Sequence, residues 1–247
     1  MRYKIFVINL KENTSRWTFM TSQLQRLQLP FERINAVRGN ALAAADEAAI
    51  YPKSSHTTYY PVKLSAGEIG CYLSHIQCWQ QLIEQDLDFA LILEDDALLP
   101  DDLHLYLTHA SHYPEDWDYI ELSASRRCRP AYATVADFDA FKLVQRKQLH
   151  ATTTGQLVSR QGAIKLQRHA LPMKRPIDID LQYVYEKSTH CYSVDPLPIT
   201  GADFQSHIAS MGRRSKPWSA LMKQLWFRVQ HRYRLHQHFK HVASLKN

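Results

Sequence analysis

Three consecutive carboxylates, Glu94-Asp95-Asp96, follow directly on the apolar run Phe89-Ala90-Leu91-Ile92-Leu93. A continuous apolar run of this length reads as a short strand buried on both faces, the pattern of an interior strand in a parallel sheet. Carboxylates at its C-terminal end cannot be buried unpaired without a large cost. In open α/β sheets that same edge is where ligands sit. Side chains alternate along a strand, so Glu94 and Asp96 are expected on one side and Asp95 on the other. Two same-side carboxylates beside a ligand crevice suit a hard divalent cation that also holds phosphate oxygens. The competing reading is a solvated acidic loop with helix-capping duties. The buried strand before it favours the ligand site.

A second group with chemical potential is Cys71, His75 and Cys78, which share one helix face at i, i+4 and i+7. Such a trio could hold a metal. The favoured reading is small buried cysteines beside a functional or capping histidine. The sequence has four cysteines and no CxxC pair, which excludes zinc-ribbon and thioredoxin readings. The start, MRYKIFVINLK, has too short an apolar core for an export signal, so free thiols in a reducing compartment are expected.

The elements that must position these groups can be read from periodicity. Residues 3–9 read as a buried strand and 14–28 as a helix with Trp17, Met20, Leu24 and Leu27 on one face. Residues 31–37 read as a second strand ending in the turn Arg38-Gly39-Asn40. Residues 41–63 are irregular, with room for one short helix. Ser65 followed by Glu68 is a capping box that opens a helix to about residue 85, with Ile69, Tyr72, Leu73, Ile76, Trp79 and Ile83 inward. Further on, a helix is predicted over 101–110, strands over 117–122 and 150–158, a helix over 160–170, and another over 178–187 after Pro172 and Pro176. Strands and helices alternate and no repeat is visible, which predicts an α/β layered domain with a mainly parallel sheet.

Composition agrees with a globular chain: 247 residues, 45% hydrophobic and 22% charged. That excludes a disordered chain, collagen, a coiled coil and a disulfide scaffold. No apolar run approaches the ~18 residues of a spanning helix. The net charge of +6 is unevenly placed: residues 204–247 hold nine Lys or Arg and no Asp or Glu, and the rest is mildly acidic. This divides the chain into an α/β domain at 1–205 and a basic amphipathic segment at 206–247. In the latter, Trp218, Leu221, Met222, Leu225, Trp226 and Val229 form a helical stripe flanked by Arg213, Arg214, Lys216, Lys223, Arg228, Arg232 and Arg234. Residues 213–234 thus read either as an interfacial helix on an anionic membrane surface or as a helix packing that stripe on the body.

In order and spacing, several segments resemble glycosyltransferase family 25, the lipopolysaccharide and lipooligosaccharide glycosyltransferases that also include collagen galactosyltransferase domains. They are Ile8-Asn9-Leu10 with Arg16, Phe31 to Val37, Leu64 to Cys71 with Ser74-His75, Ala90 to Asp96, and Gly155 with Ser159 to Ala163. The resemblance covers about residues 3–205. It implies a GT-A fold, a UDP-sugar donor (usually UDP-galactose), a β-linked product, and Mn²⁺ or Mg²⁺ as cofactor. Glu94-Asp95-Asp96 then stands at the DxD position, with Asp96 and Glu94 toward metal and Glu94 or Asp95 toward the donor ribose or metal-bound water. Donor contacts are expected from Asn9, Leu10, Arg16, Ala36, Gly67, Ser74 and His75, with Arg38 near the base.

For the base that takes the acceptor's proton, Pro176-Ile177-Asp178 matches a Pro-x-Asp position of the family, so Asp178 leads; an N-cap role explains the same residue equally well. Asp180 is the reserve, and Glu121 is a third candidate that could instead pair with Arg126 or Arg127. His190 or His207 could complete a metal shell. The implied partners are a nucleotide-sugar donor, a lipooligosaccharide acceptor and the anionic membrane surface, with no nucleic acid. The implied location is the cytoplasm, attached peripherally to the inner face of the cytoplasmic membrane. Two other readings compete: a metal-dependent nuclease or phosphatase, and a non-catalytic glycan-binding protein. The basic residues lie in the tail rather than around the acidic triplet, which weighs against the first, and the intact triplet weighs against the second.

Overall fold

Two apolar runs without alternation become neighbouring parallel strands, β1 (Tyr3–Asn9) and β3 (Phe89–Glu94), paired so that Val7 faces Leu93 and Ile8 faces Glu94. In the computed structural model, residues 1–124, 129–202 and 218–244 are described. An eight-stranded sheet is built outward from this pair in the order β2-β1-β3-β8-β5-β9-β7-β6. The other strands are β2 (Glu32–Asn35), β5 (Tyr119–Glu121), β6 (Ala133–Asp137), β7 (Lys142–Gln145), β8 (Gly155–Ser159) and β9 (Cys191–Asp195). Only β7 and β8 run against the common direction. A two-stranded ribbon pairs β4 (Ala97–Leu98) with β10 (Thr200–Gly201).

Alternation along the central strands feeds two cores. Ile5, Val7, Leu91 and Leu93 face one side, against Met20 and Leu24 of α1 (Thr14–Arg26) and Leu103 and Leu107 of α4 (Leu103–Thr108). Phe6, Ile8, Ala90 and Ile92 face the other, against Ile69, Tyr72 and Trp79 of α3 (Ala66–Glu84) and Ala163 and Leu166 of α5 (Arg160–Ala170). Every one of these side chains is buried, so the sheet is covered on both faces, as its near-continuous apolar strands require. The result is the three-layer α/β arrangement expected of a GT-A-type domain. The capping box of α3 is present in both directions: Ser65 Oγ accepts from the Glu68 N–H at 3.2 Å and Glu68 accepts from the Ser65 N–H at 2.7 Å.

The irregular stretch holds one short α-helix, α2 (Ala44–Ile50), and a 3-10 turn at Lys53–Ser55. Three features differ from the sequence reading. The hairpin β6–β7 was not expected, because β6 lies exposed at the sheet edge and needs no apolar pattern. Strand β9 was also missed; its Ser193 is buried by a hydrogen bond to Glu121 rather than by apolar character. The helix expected over 178–187 is two short turns, α6 (Ile177–Asp180) and α7 (Val184–Lys187). The division at residue 205 falls in 203–217, outside the described residues.

The C-terminal segment forms one long helix, α8 (Trp218–Ser244). It does pack on the body, but not by the expected stripe. His231 and Leu235 are each 5% exposed. The His231 ring stacks on Tyr183 at 4.2 Å, and its Nδ1 lies 3.3 Å from the Tyr185 hydroxyl. Phe239 meets Tyr132 with centroids 6.0 Å apart. Leu221, Met222, Leu225, Trp226 and Val229 all remain exposed. The Trp218 side chain and residues 213–217 lie outside what is described.

Burial, aided by the nearby charges of Arg175 and Arg129, lowers His231 from 6.5 to about 4. The unfolded chain therefore takes up this proton before the folded chain does. Between about pH 6.5 and 4 the folded state loses stability as pH falls, by an amount of order 2–3 kcal/mol. Thermal melts of the wild type and His231→Phe should coincide in their pH trend above pH 7 and diverge below pH 6, with the wild type losing more. Parallel curves down to pH 4.5 would remove His231 as the cause.

Candidate active site

The C-terminal ends of β1, β2 and β3 open onto one cavity of about 580 Å³, closed on its far side by the first half of α3. Asn9 and Leu10 reach it from the end of β1, Arg16 from α1, and residues 36–40 from the turn after β2. Gly67, Cys71, Ser74 and His75 reach it from α3, and Glu94, Asp95 and Asp96 from the end of β3. All ten residues expected at the donor and metal positions thus line a single cavity. Glu12 and Arg38, which also line it, form an ion pair with each other.

The three carboxylates have different environments. Glu94 Oε1 accepts from the Thr153 hydroxyl at 2.5 Å and lies 3.4 Å from His75 Nε2. Gln156 Nε2 donates to His75 Nδ1 at 3.0 Å, which leaves the ring proton on Nε2, facing Glu94. Burial works to raise the Glu94 carboxyl, but the His75 ring, the Thr153 hydroxyl and the Arg16 charge outweigh it and hold the group below its ordinary value. Asp95 is buried, with Oδ2 accepting from Asn9 Nδ2 at 2.7 Å and Oδ1 from Arg16 Nη1 at 2.9 Å. Each of its oxygens thus holds one bond to the protein, while the residue still lines the cavity. Asp96 differs again. Its Oδ1 is buried with no hydrogen-bond partner among the described residues, and Arg16 Nη1 lies 3.7 Å from its other oxygen. Burial and the adjacent Glu94 push its carboxyl up to about 6, with Arg16 opposing.

A buried carboxylate oxygen without a partner, next to a second carboxylate, is a place where a hard divalent cation fits. Asp96 offers the free oxygen, with Glu94 beside it. Cys71 Sγ, His75 and Glu94 also bring ligand atoms within 4.8 Å of one another. Burial, with Glu94 next to it, holds the Cys71 thiol well above its ordinary value. Cys78, expected as a possible third member, lies in the core under α3.

The turn after β2 is pinned to α3. Ser74 Oγ accepts the Val37 N–H at 2.9 Å and donates to the Gly70 carbonyl at 2.7 Å. Ser74 lines the cavity, and its hydroxyl also bonds two backbone groups that fix the turn. A Cβ on Gly70 would stand 2.3 Å from the Val37 carbonyl oxygen, and one on Gly39 would stand 1.9 Å from that of Ala66. Gly67, the glycine singled out for close approach, lines the cavity at the start of α3, but the loop seats itself against Gly70.

The candidate bases separate sharply. Asp178 is half-buried, one residue inside α6 rather than at its cap position, which Pro176 holds. Burial pushes its carboxyl up to about 6, against the Ile179 N–H it accepts from at 2.9 Å and with the charges of Glu94 and Glu68. It does not line the donor cavity, but those two charges put it within electrostatic reach of the acidic turn. Asp180 is buried and fully engaged: Arg175 at 3.0 Å, Tyr72 at 2.8 Å and Lys187 at 2.9 Å. Despite its burial, Lys187 and Arg175 hold it below the ordinary carboxylate value. As a buried anchor with both oxygens engaged, it is the less accessible of the two candidates. Glu121 is similarly engaged, accepting from the His150 N–H at 2.6 Å and from Ser193 at 2.8 Å. His190 is exposed and lies 2.7 Å from Asp116, away from the cavity. His207, Arg126 and Arg127 lie outside the described residues.

Three residues that brace the site escaped the sequence reading: Thr153, Gln156 and Arg33, which holds Asn9 Oδ1 at 2.5 Å. For Gln156 a signal existed. A glutamine in a strand that is otherwise apolar and buried on both faces must find a buried partner.

The family model described as "Glycosyltransferase family 25 (LPS biosynthesis protein)" matches residues 2–181. Procollagen galactosyltransferase 1-B of Xenopus laevis is 28% identical over 221 residues, covering 86% of this chain and 34% of that protein. The chain thus spans about a third of the length of the procollagen galactosyltransferases it matches. Lipooligosaccharide biosynthesis protein lic2B of Haemophilus influenzae is 22% identical over 203 residues, covering 77% of this chain and 73% of that one. Among solved structures, a glycosyltransferase involved in the glycosylation of the major capsid of PBCV-1 covers 93% of this chain at 9% identity, with a TM-score of 0.45.

The loop-to-helix contact gives a direct test of how the cavity wall is held. Gly70→Ala places a methyl group against backbone on both Val37 and Gly39. Overpacking of this kind costs about 1–3 kcal/mol and should lower the melting temperature by several degrees. A melting temperature within a degree of the wild type would show that the turn after β2 is not seated on α3.

Proposed function

This chain belongs to glycosyltransferase family 25, and from that premise we propose that it moves a hexose, most simply galactose from UDP-galactose, onto a sugar of a lipooligosaccharide with inversion to a β-linkage. Membership in a transferase family sets aside the nuclease and phosphatase reading. The names of the procollagen galactosyltransferases support the sugar, and that of the Haemophilus relative supports the acceptor class. The observation that carries the reading is Asp96: a buried carboxylate oxygen without a partner among the described residues, on the wall of a cavity whose volume falls in the ~300–1,000 Å³ range of small-ligand sites.

A divalent cation, Mn²⁺ or Mg²⁺, held by Asp96 with Glu94 would offset the charge of the departing nucleotide diphosphate. The remaining work falls to the chain. Asn9, Leu10 and Ala36 wall the part of the cavity formed by β1 and β2 and hold the base and ribose there. Gly67 leaves the N-terminal turn of α3 open to the donor. Arg16, fixed by Asp95, keeps a positive charge beside the acidic turn. His75, its Nδ1 occupied by Gln156, fixes the direction of Glu94. Asp178 takes the proton of the attacking acceptor hydroxyl; a carboxylate with a value near 6 is still ionised at neutral pH and more basic than an ordinary one.

Purified full-length protein should release UDP from UDP-galactose in the presence of Mn²⁺ and transfer galactose to lipooligosaccharide. Asp96→Asn should abolish both while the fold survives. Full activity in EDTA, or in folded Asp96→Asn, would overturn the assignment of the metal position. Asp178→Asn should lower turnover by ~10²–10⁴-fold with donor affinity unchanged. The wild-type rate should fall on acidification through about pH 6, where Asp178 takes up a proton. An Asp178→Asn enzyme with normal turnover would return that residue to a structural role.

A further inference from the structure

Helix α8 carries two apolar faces, and among the described residues one of them packs on the body while the other stays exposed. His231, Leu235 and Phe239 lie against the body. On the other side Met222, Leu225, Trp226, Val229 and Tyr233 follow one another at helical spacing, each 52–63% exposed. Lys223 and Arg234 fall along one border of that stripe by helical periodicity, Arg228 and Arg232 along the other. Residues 204–247 contain no Asp or Glu. No described helix is long and apolar enough to cross a membrane.

We propose that α8 is a two-faced anchor, seated on the body through His231 and Leu235 and lying flat on an anionic lipid surface through the stripe from Met222 to Tyr233. Charge selects this occupant. An apolar stripe with Trp and Tyr and basic borders matches the boundary between acyl chains and anionic headgroups. A second copy of the helix would bring two sets of basic side chains together with no acid on the helix to pair them. The helix also lies near the proposed acceptor side, since Arg228 is within electrostatic reach of Tyr60, which in turn feels Asp178 and Glu68. An acceptor carried on a lipid would therefore be presented close to the proposed base. The lipid contact does not depend on the transferase reading and is tested without activity.

The experiment is sedimentation of the full chain with vesicles of phosphatidylcholine alone or mixed with phosphatidylglycerol. Binding is expected to the mixed vesicles only, and to weaken about tenfold or more between ~0.05 M and ~0.5 M salt as the Debye length shrinks. The double variant Leu225→Glu/Trp226→Glu alters exposed positions, so its melting temperature should match the wild type while its binding to mixed vesicles falls about tenfold or more. Equal vesicle binding by a folded double variant would overturn the proposal. So would a wild type that ignores both vesicles and instead forms dimers in gel filtration that the double variant dissolves. Transfer to a soluble acceptor fragment should be unchanged in the double variant, which separates failure of the anchor from failure of the catalytic reading.

Discussion

The site depends on one clamp. Asp95 is held by Asn9 from the end of β1 and by Arg16 from α1, and Asn9 is itself held by Arg33 from β2. Three elements distant in sequence are thereby tied to the turn that follows β3. Removing one partner of a buried charge pair costs about 3–5 kcal/mol, because the other charge is left without compensation. The clamp also has a directional effect. With Asp95 turned into the protein, the carboxylates on either side of it are fixed relative to the cavity wall. A flexible acidic loop would collapse onto Arg16 in several ways; here the geometry admits one.

Around that clamp the carboxylates are driven apart in acidity by their surroundings. Glu94 is kept ionised by His75 and Thr153, while Asp96 and Asp178 are raised to about 6 by burial and by like charge. Groups pushed apart in this way are suited to different tasks. Asp96 gains from an added cation more than Glu94 does, because no partner among the described residues satisfies its Oδ1. Asp178 stands apart from the cavity, where an incoming hydroxyl rather than a phosphate would find it. The His75–Gln156 bond makes the arrangement stiff, since it joins α3 to β8 across the end of β3.

What could be read from the sequence follows from how local each cause is. Strands β1 and β3 announce themselves because both faces are buried and every residue must be apolar. The capping box of α3 is legible because its two hydrogen bonds span only Ser65 to Glu68. The ten expected residues that line the cavity were legible as a set because most of them sit at strand ends or on one capped helix, with Arg16 on α1. Individual roles were not. Asp178 and Asp180 look alike in the sequence; what separates them is Tyr72, Arg175 and Lys187 converging on Asp180 alone. Ser74 reads as a ligand contact, and the Val37 N–H on its hydroxyl shows that it also pins the turn. In the tail, the apolar stripe is obvious, yet the face that packs is led by His231, whose burial depends on the tyrosines opposite and not on its own hydrophobicity.

Those tyrosines connect the tail to the chemistry. The Arg175 guanidinium lies 3.4 Å from the centroid of the Tyr183 ring, on which His231 also stacks. The same guanidinium holds Asp180 at 3.0 Å and Glu186 at 2.8 Å. Asp180 closes α6, the short helix that carries Asp178. A continuous line of buried contacts thus runs from α8 through Tyr183, Arg175 and Asp180 to the proposed base. A four-residue helix has little stability of its own, since the first turn fixes several residues for a single hydrogen bond. Its position must come from what it is packed and bonded to, and here that is Arg175 and the residues it gathers. The tail helix is therefore part of the wall that keeps α6 in place, and among the described residues its outward face stays exposed.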